Sequence, residues 1–138
     1  MILTSGLNTV QVTLNELVTI SSPEFICIFV NDSTSKKYAC KLGTDLSSYP
    51  DRYNEFEITV SGNPNPLLSE VDLYNQKSYH YFIYETADAS TFDYAGVDTL
   101  DLRTMTGLVE QGKMSYLINP SDLMFYKDLR TSIKTYNE

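Results

Sequence analysis

Apolar and polar residues alternate in several segments of the first 118 positions, and a period of two is the period of a β-strand. Residues 8–14 alternate and predict a half-buried strand. Leu17–Ile20 predicts a second short extended piece, closed by Ser21-Ser22-Pro23. Phe25–Val30 is apolar on both faces and rich in β-branched and aromatic residues, so it reads as an interior strand. Asn31–Lys36 is a run of short polar side chains that suits a turn, and Tyr38–Leu42 returns as the partner strand. With Asp32–Ser35 as the loop, residue 31 pairs with 36 and Cys27 falls opposite Cys40.

Beyond a linker at Gly43–Arg52, residues 54–61 give the cleanest alternation. Phe56, Ile58 and Val60 turn inward while Glu55, Glu57 and Thr59 face water. Gly62–Pro66 signals a turn, and residues 67–74 follow with Val71 and Leu73 alternating against Asp72. Tyr79–Glu85 is the densest aromatic stretch. Tyr79, Tyr81 and Ile83 share one face, and His80, Phe82 and Tyr84 the other, so both faces are apolar enough to be covered and the strand is expected to be central. A Tyr at the head of such a strand resembles the tyrosine corner of immunoglobulin-like sandwiches. Residues 107–118 read as a last strand, with Gly112 at a kink or bulge.

About seven strands at regular spacing predict an all-β domain over residues 1–118: an antiparallel β-sandwich, immunoglobulin-like or related. Residues 119–138 form a C-terminal extension. Asn119-Pro120 suits a helix start, and apolar residues at 123, 125, 126, 129 and 133 are close to helical spacing, whereas 131–136 fits an extended chain equally. The reading leans towards a tail with one helical turn.

The exception to the pattern is residues 87–106, far longer than an ordinary loop. The segment carries Asp88, Asp93, Asp98 and Asp101 against Arg103, interspersed with Phe92, Tyr94, Val97, Leu100 and Leu102. It is either an arm that docks on a partner or one that folds back over its own core.

Composition narrows the function classes. Eighteen acidic against ten basic residues give a net charge of −8, which repels phosphate backbones, and Lys36-Lys37 is the sole basic pair. Direct nucleic-acid binding is therefore not expected. The first six residues lack the basic and apolar regions of a signal peptide, and no run approaches the roughly 20 apolar residues of a membrane helix. The protein is expected to be made in a cytosol, to remain soluble and to have no membrane partner. Eleven Tyr and six Phe without Trp suit a β-rich binding protein.

No chemistry is organised along the chain. Two cysteines without CxxC spacing and a single His cannot build a standard zinc site, and in a reducing cytosol Cys27 and Cys40 read as free core thiols. His80 sits mid-strand with no adjacent nucleophile and reads as a cross-strand packing or hydrogen-bonding residue. Glu55 and Glu57 solubilise a strand face. The Asp-rich loop lacks the ligand spacing and central Gly of an EF-hand. No enzyme activity, metal or cofactor is expected.

Several segments in order resemble small virion proteins of tailed phages infecting Bacteroidetes, including crAss-like phages. They are Phe29–Asp32, Lys37–Cys40, Ser48–Phe56, Asn65–Leu67, Tyr79–Glu85 and Thr106–Lys113; together they span about residues 25–116. The most specific are Arg52–Phe56 and Leu108–Lys113. The resemblance implies a virion protein whose partners are the major capsid protein or other virion proteins: a capsid auxiliary or decoration protein, or else a head–tail connector or ring component near the portal. The long loop and the C-terminal extension depart from the pattern and are expected to dock on the particle, with Phe92, Tyr94, Leu100, Leu102, Phe125 and Tyr126 as anchors. A surface carbohydrate-binding or adhesin module using an exposed face of Tyr79, Tyr81 or Tyr84 is the alternative of another class.

Overall fold

The computed structural model describes residues 1–73 and 78–117, which form eight strands in two sheets and no α-helix. The strands are β1 (Ile2–Thr4), β2 (Gly6–Val12), β3 (Glu24–Asn31), β4 (Lys37–Leu42), β5 (Asn54–Val60), β6 (Glu70–Val71), β7 (Ser78–Thr86) and β8 (Leu108–Leu117). The larger sheet runs β1-β8-β7-β3-β4, and the smaller β2-β5-β6. The aromatic strand expected to be central is the middle one of the five.

The two sheets enclose one core. Leu3, Cys27, Phe29, Tyr79, Tyr81 and Ile83 from the larger sheet meet Val10, Val12, Phe56, Ile58 and Val60 from the smaller. Glu57 and the partly exposed Glu55 and Thr59 alternate with these on β5, as the period of two requires. The β3–β4 hairpin has the expected register. The Asn31 amide donates to the Lys36 carbonyl at 2.9 Å, and Cys27 lies directly across from Cys40. Asn31 Oδ1 closes the turn by accepting from the amides of Ser33 and Thr34, both at 2.8 Å.

Several expectations are corrected. The pairing is mixed, because β1 runs parallel to β8 and β6 parallel to β5. β1 was not anticipated: three residues carry too little alternation to register, and what holds it lies elsewhere in the chain, in pairing with β8, burial of Leu3 and bonds between Thr4 and Asn8. Leu17–Ile20 forms no strand; the segment hangs from the Glu85 side chain instead. Residues 66–68 form a 3₁₀ turn, which leaves Glu70–Val71 as the only paired part, among the described residues, of the strand expected over 67–74. Tyr74 of that stretch, Ile118 and the whole extension 119–138, with the helical turn expected in it, lie outside the described residues.

The irregularity in β8 is not at Gly112. The register slips between the pairs Ile83–Glu110 and Tyr84–Leu108, leaving Val109 as the extra residue. Gly112 lies across from Tyr81, and a Cβ there would meet the Tyr81 ring at 2.9 Å. The glycine makes room for a core aromatic and leaves the ladder straight.

A polar knot ties the two sheets' connections together at one end of the core. Asn54 Oδ1 accepts from the buried Leu14 amide at 2.9 Å, and its Nδ2 donates to Asp45 Oδ2 at 2.8 Å. Asp45 Oδ1 accepts in turn from the amides of Ser47 and Glu55, each at 2.9 Å. Replacing Asn54 by Ala strands the Leu14 amide next to the core, so Asn54→Ala is expected to cost about 1–3 kcal/mol of unfolding free energy in urea titrations.

Candidate functional site

Twenty residues without a strand must find partners for their backbone by other means. Residues 87–106 do so with three short 3₁₀ turns, Ala89–Thr91, Val97–Thr99 and Leu102–Thr104. In the first and last, an Asp at the N-cap accepts from the amide two residues on: Asp88 from Ser90 at 2.9 Å and Asp101 from Arg103 at 3.0 Å. In all three a Thr hydroxyl reaches back to the carbonyl three residues earlier, from Thr91, Thr99 and Thr104. Asp93 Oδ1 accepts from the Gly96 amide at 3.0 Å. The acidic spacing that looked like a docking signal therefore belongs largely to local capping.

The arm folds back over the outer face of the larger sheet. Ile26, Ile28, Ala39 and Tyr84 form a second core with Ala89 and Val97, flanked by Phe92, Tyr94, Leu100, Leu102 and Met105. Phe92 and Tyr94 pack edge to face with centroids 4.9 Å apart, and the Tyr94 hydroxyl donates to the Ala89 carbonyl at 2.6 Å. Burial pushes the Tyr94 phenol up to about 12. The structure thus gathers four of the six expected anchors, Phe92, Tyr94, Leu100 and Leu102, on the molecule's own sheet, each half-buried. Phe125 and Tyr126 lie outside the described residues.

Covering a pleated sheet with turns leaves a groove of about 740 Å³ between arm and sheet. Its lining includes Ile26, Tyr84, Phe92, Leu100 and Met105, the acidic residues Glu85, Asp88, Asp93 and Asp101, and five threonines. No Lys, Arg or His lines it among the described residues. A second recess of about 460 Å³ lies between β4, the arm and residues 64–72.

Glu85 closes the groove at the end of β7 and is only 7% exposed. Its carboxylate accepts from the Thr19 hydroxyl at 2.5 Å and from the Thr19 and Ile20 amides, and its own amide donates to the Gly107 carbonyl at 2.8 Å. Gly107 has φ +87°, and a Cβ there would meet the Glu85 carbonyl at 2.7 Å, so only glycine returns the arm so close to β7. A single residue fastens both the 15–23 loop and the end of the arm. Sequence reading missed it, because a Glu at the end of an aromatic strand carries no mark of its partners.

The other candidates are placed as follows. His80 is exposed at the top of β7, and its Nδ1 lies 2.5 Å from Asp32 Oδ1. This contact, first, holds the Asp32 carboxyl below its ordinary range. Cys27 and Cys40 are free and fully buried, and burial pushes the Cys40 thiol up to about 12. Tyr79, Tyr81 and Tyr84 form no exposed face: the first two lie in the inter-sheet core and the third beneath the arm. The hydroxyl of Tyr79 faces Asn31 across the ladder, and no backbone bond of the tyrosine-corner kind is present among the described residues. No three His, Cys, Asp or Glu side chains converge on a possible metal position among the described residues.

Compared with family models, curated proteins and solved structures, the chain matches none of them.

Two outcomes follow from the arm and its clasp. Tyr94→Phe removes the bond to Ala89, and is expected to raise amide exchange across residues 88–104 at a cost of about 1 kcal/mol, with β3 and β7 unaffected. The Thr19 hydroxyl, and with it the Thr19 and Ile20 amides, holds the Glu85 carboxyl below its usual value of 4.5 against the opposing push of burial. A carboxyl depressed in the folded state stabilises fully above its unfolded value, and that contribution disappears as pH falls through the folded one. Stability should therefore decline below pH 4.5, and in Glu85→Gln this part of the acid limb should flatten in pH-dependent thermal melts.

Proposed function

We propose that the chain is a non-enzymatic phage virion structural protein with an immunoglobulin-like sandwich, acting as a capsid auxiliary or decoration protein that binds the major capsid protein. The strand order supports the sandwich assignment. β8-β7-β3-β4 follows the G-F-C-C′ order of that architecture and β2-β5 its B-E pair, while the two-residue β6 replaces the usual antiparallel neighbour of E by a parallel one.

The observation that carries the functional reading is where the two most specific segments of the resemblance fall. Arg52–Phe56 contains Asn54 of the polar knot and Phe56 of the core, and Leu108–Lys113 contains the bulge residue Val109 and Gly112 under the Tyr81 ring. Residues shared in these stretches specify architecture, which suits a protein whose work is to be placed correctly on an assembly. In this reading the protein is made in the host cytoplasm, resides in the virion and oligomerises only within it, without direct nucleic-acid or membrane contact.

The arm then serves as a preformed surface, with the outer flanks of Phe92, Tyr94, Leu100 and Leu102 available alongside Phe125 and Tyr126 of the extension. A position in a head–tail or portal ring differs only in copy number. The carbohydrate-binding alternative loses the exposed tyrosine platform on which it relied. In particles of the phage that encodes the chain, quantitative mass spectrometry is expected to find the protein in a fixed ratio to the capsid protein. A Phe125→Ala/Tyr126→Ala double variant should lower that ratio about tenfold, the effect of losing roughly 1.4 kcal/mol at an aromatic anchor. Absence of the unaltered protein from purified particles would refute the virion assignment; an unchanged ratio in the variant would remove the extension as an anchor.

A further inference from the structure

We infer that residues 130–136 of the chain's own C-terminal extension pair with the open edge of β2, as a further antiparallel strand of the smaller sheet. The inference stands on that edge and on the sequence of the extension, and does not depend on the virion reading.

The direction of each backbone group on β2 follows from its ladder. The Thr59 and Ser61 amides donate to the Ser69 and Val71 carbonyls at 2.9 and 3.0 Å, so these two residues turn their backbone towards β6. Ile58 and Val60 alternate with them and therefore face β2, where they pair with Asn8 and Gly6. Along β2 the same alternation leaves the amides and carbonyls of Leu7, Thr9 and Gln11 pointing away from β5. No strand pairs with that side among the described residues, and all three residues are exposed. Edges of this kind are ordinarily blunted by a charge, a proline or a bulge. The seven residues of β2 carry no charge and no proline, and their register with β5 is unbroken. The opposite edge of the same sheet, β6, is only two residues long.

Position, pattern and charge together select the occupant. Leu117, the last described residue of β8, pairs with Thr4, two positions before Gly6 opens β2. Residues 118–129 span up to about 40 Å when extended and β2 about 23 Å, so the chain can pass the length of the edge and return antiparallel. In the returning segment Thr131, Ile133 and Thr135 fall on one face, a β-branched set suited to a strand. Arg130 and Lys134 fall on the other. The outer face of the smaller sheet carries Glu55, Glu57 and Glu70, and its three strands hold no basic residue.

One register satisfies all of this. Leu7, Thr9 and Gln11 pair with Tyr136, Lys134 and Ser132, each pair exchanging two hydrogen bonds. Ile133 then lies across from the buried Val10 at the flank of the core. Lys134 lies beside Thr9, whose partner on its other side is Glu57. Tyr136 covers Leu7, which is otherwise 63% exposed. Phe125 and Tyr126 remain in the connection, outside the added strand.

Amide hydrogen exchange on the full chain tests the pairing. The Leu7, Thr9 and Gln11 amides are expected to be protected, and Ser132→Pro, which removes a pairing donor, should speed their exchange at least tenfold. The Ile58 and Val60 amides should keep their protection. Lys134→Glu should speed exchange at the three edge amides about threefold, and Glu57→Lys added to it should restore protection. Fast exchange of the three amides in the unaltered chain would overturn the inference, as would protection that survives Ser132→Pro. Protection that disappears on dilution would overturn it too, because the added strand would then come from a second copy.

Discussion

A central strand that is apolar on both faces needs two covers, and the rest of this structure follows from that requirement. The inner face of β7, with Tyr79, Tyr81 and Ile83, is covered by β2 and β5 across the core. The outer face, with Phe82 and Tyr84, together with Ile26 and Ile28 of β3, has no second sheet to meet. A buried aromatic of this size removes about 150–250 Å² from water, so an uncovered outer face would be a sizeable apolar patch. The chain meets the need with the segment that immediately follows β7. That segment cannot pair as a strand above the sheet plane, so it satisfies its backbone through Asp caps and Thr hydroxyls. Its acidic, threonine-rich composition is the consequence.

The same geometry explains why some features were legible from sequence and others were not. The β3–β4 register was readable because a four-residue polar loop fixes which residues face each other, and that placed Cys27 across from Cys40. The central position of β7 and the facing of its side chains were readable from two-sided apolarity. Both are local signals with a period. The fold-back of the arm was not decidable, since apolar residues spaced along a loop look alike whether they meet a partner or the chain's own sheet. Glu85 and Gly107 were invisible for a related reason. Their importance lies in contacts with Thr19 and with each other's backbone, which no spacing along the chain records. The bulge was misplaced because glycine is ambiguous: at 112 it makes room for a ring, whereas the register slips at Val109, an ordinary core residue. Parallel pairing of three- and two-residue strands leaves no pattern at all.

How the larger sheet treats its edges bears on what kind of association it permits. An open edge offers unpaired backbone groups to any extended chain. At β4 the offer is withdrawn at both ends: Asp98 of the arm accepts from the Lys37 amide at 3.0 Å, and the Ser69 hydroxyl donates to the Lys41 carbonyl at 2.6 Å. At the opposite edge the three residues of β1 pair with β8, and the Met1 ammonium donates to the Lys113 carbonyl at 3.2 Å. The arm therefore covers the outer face and, through Asp98, also plugs one edge. A partner approaching this sheet finds side chains where it would otherwise find a free strand.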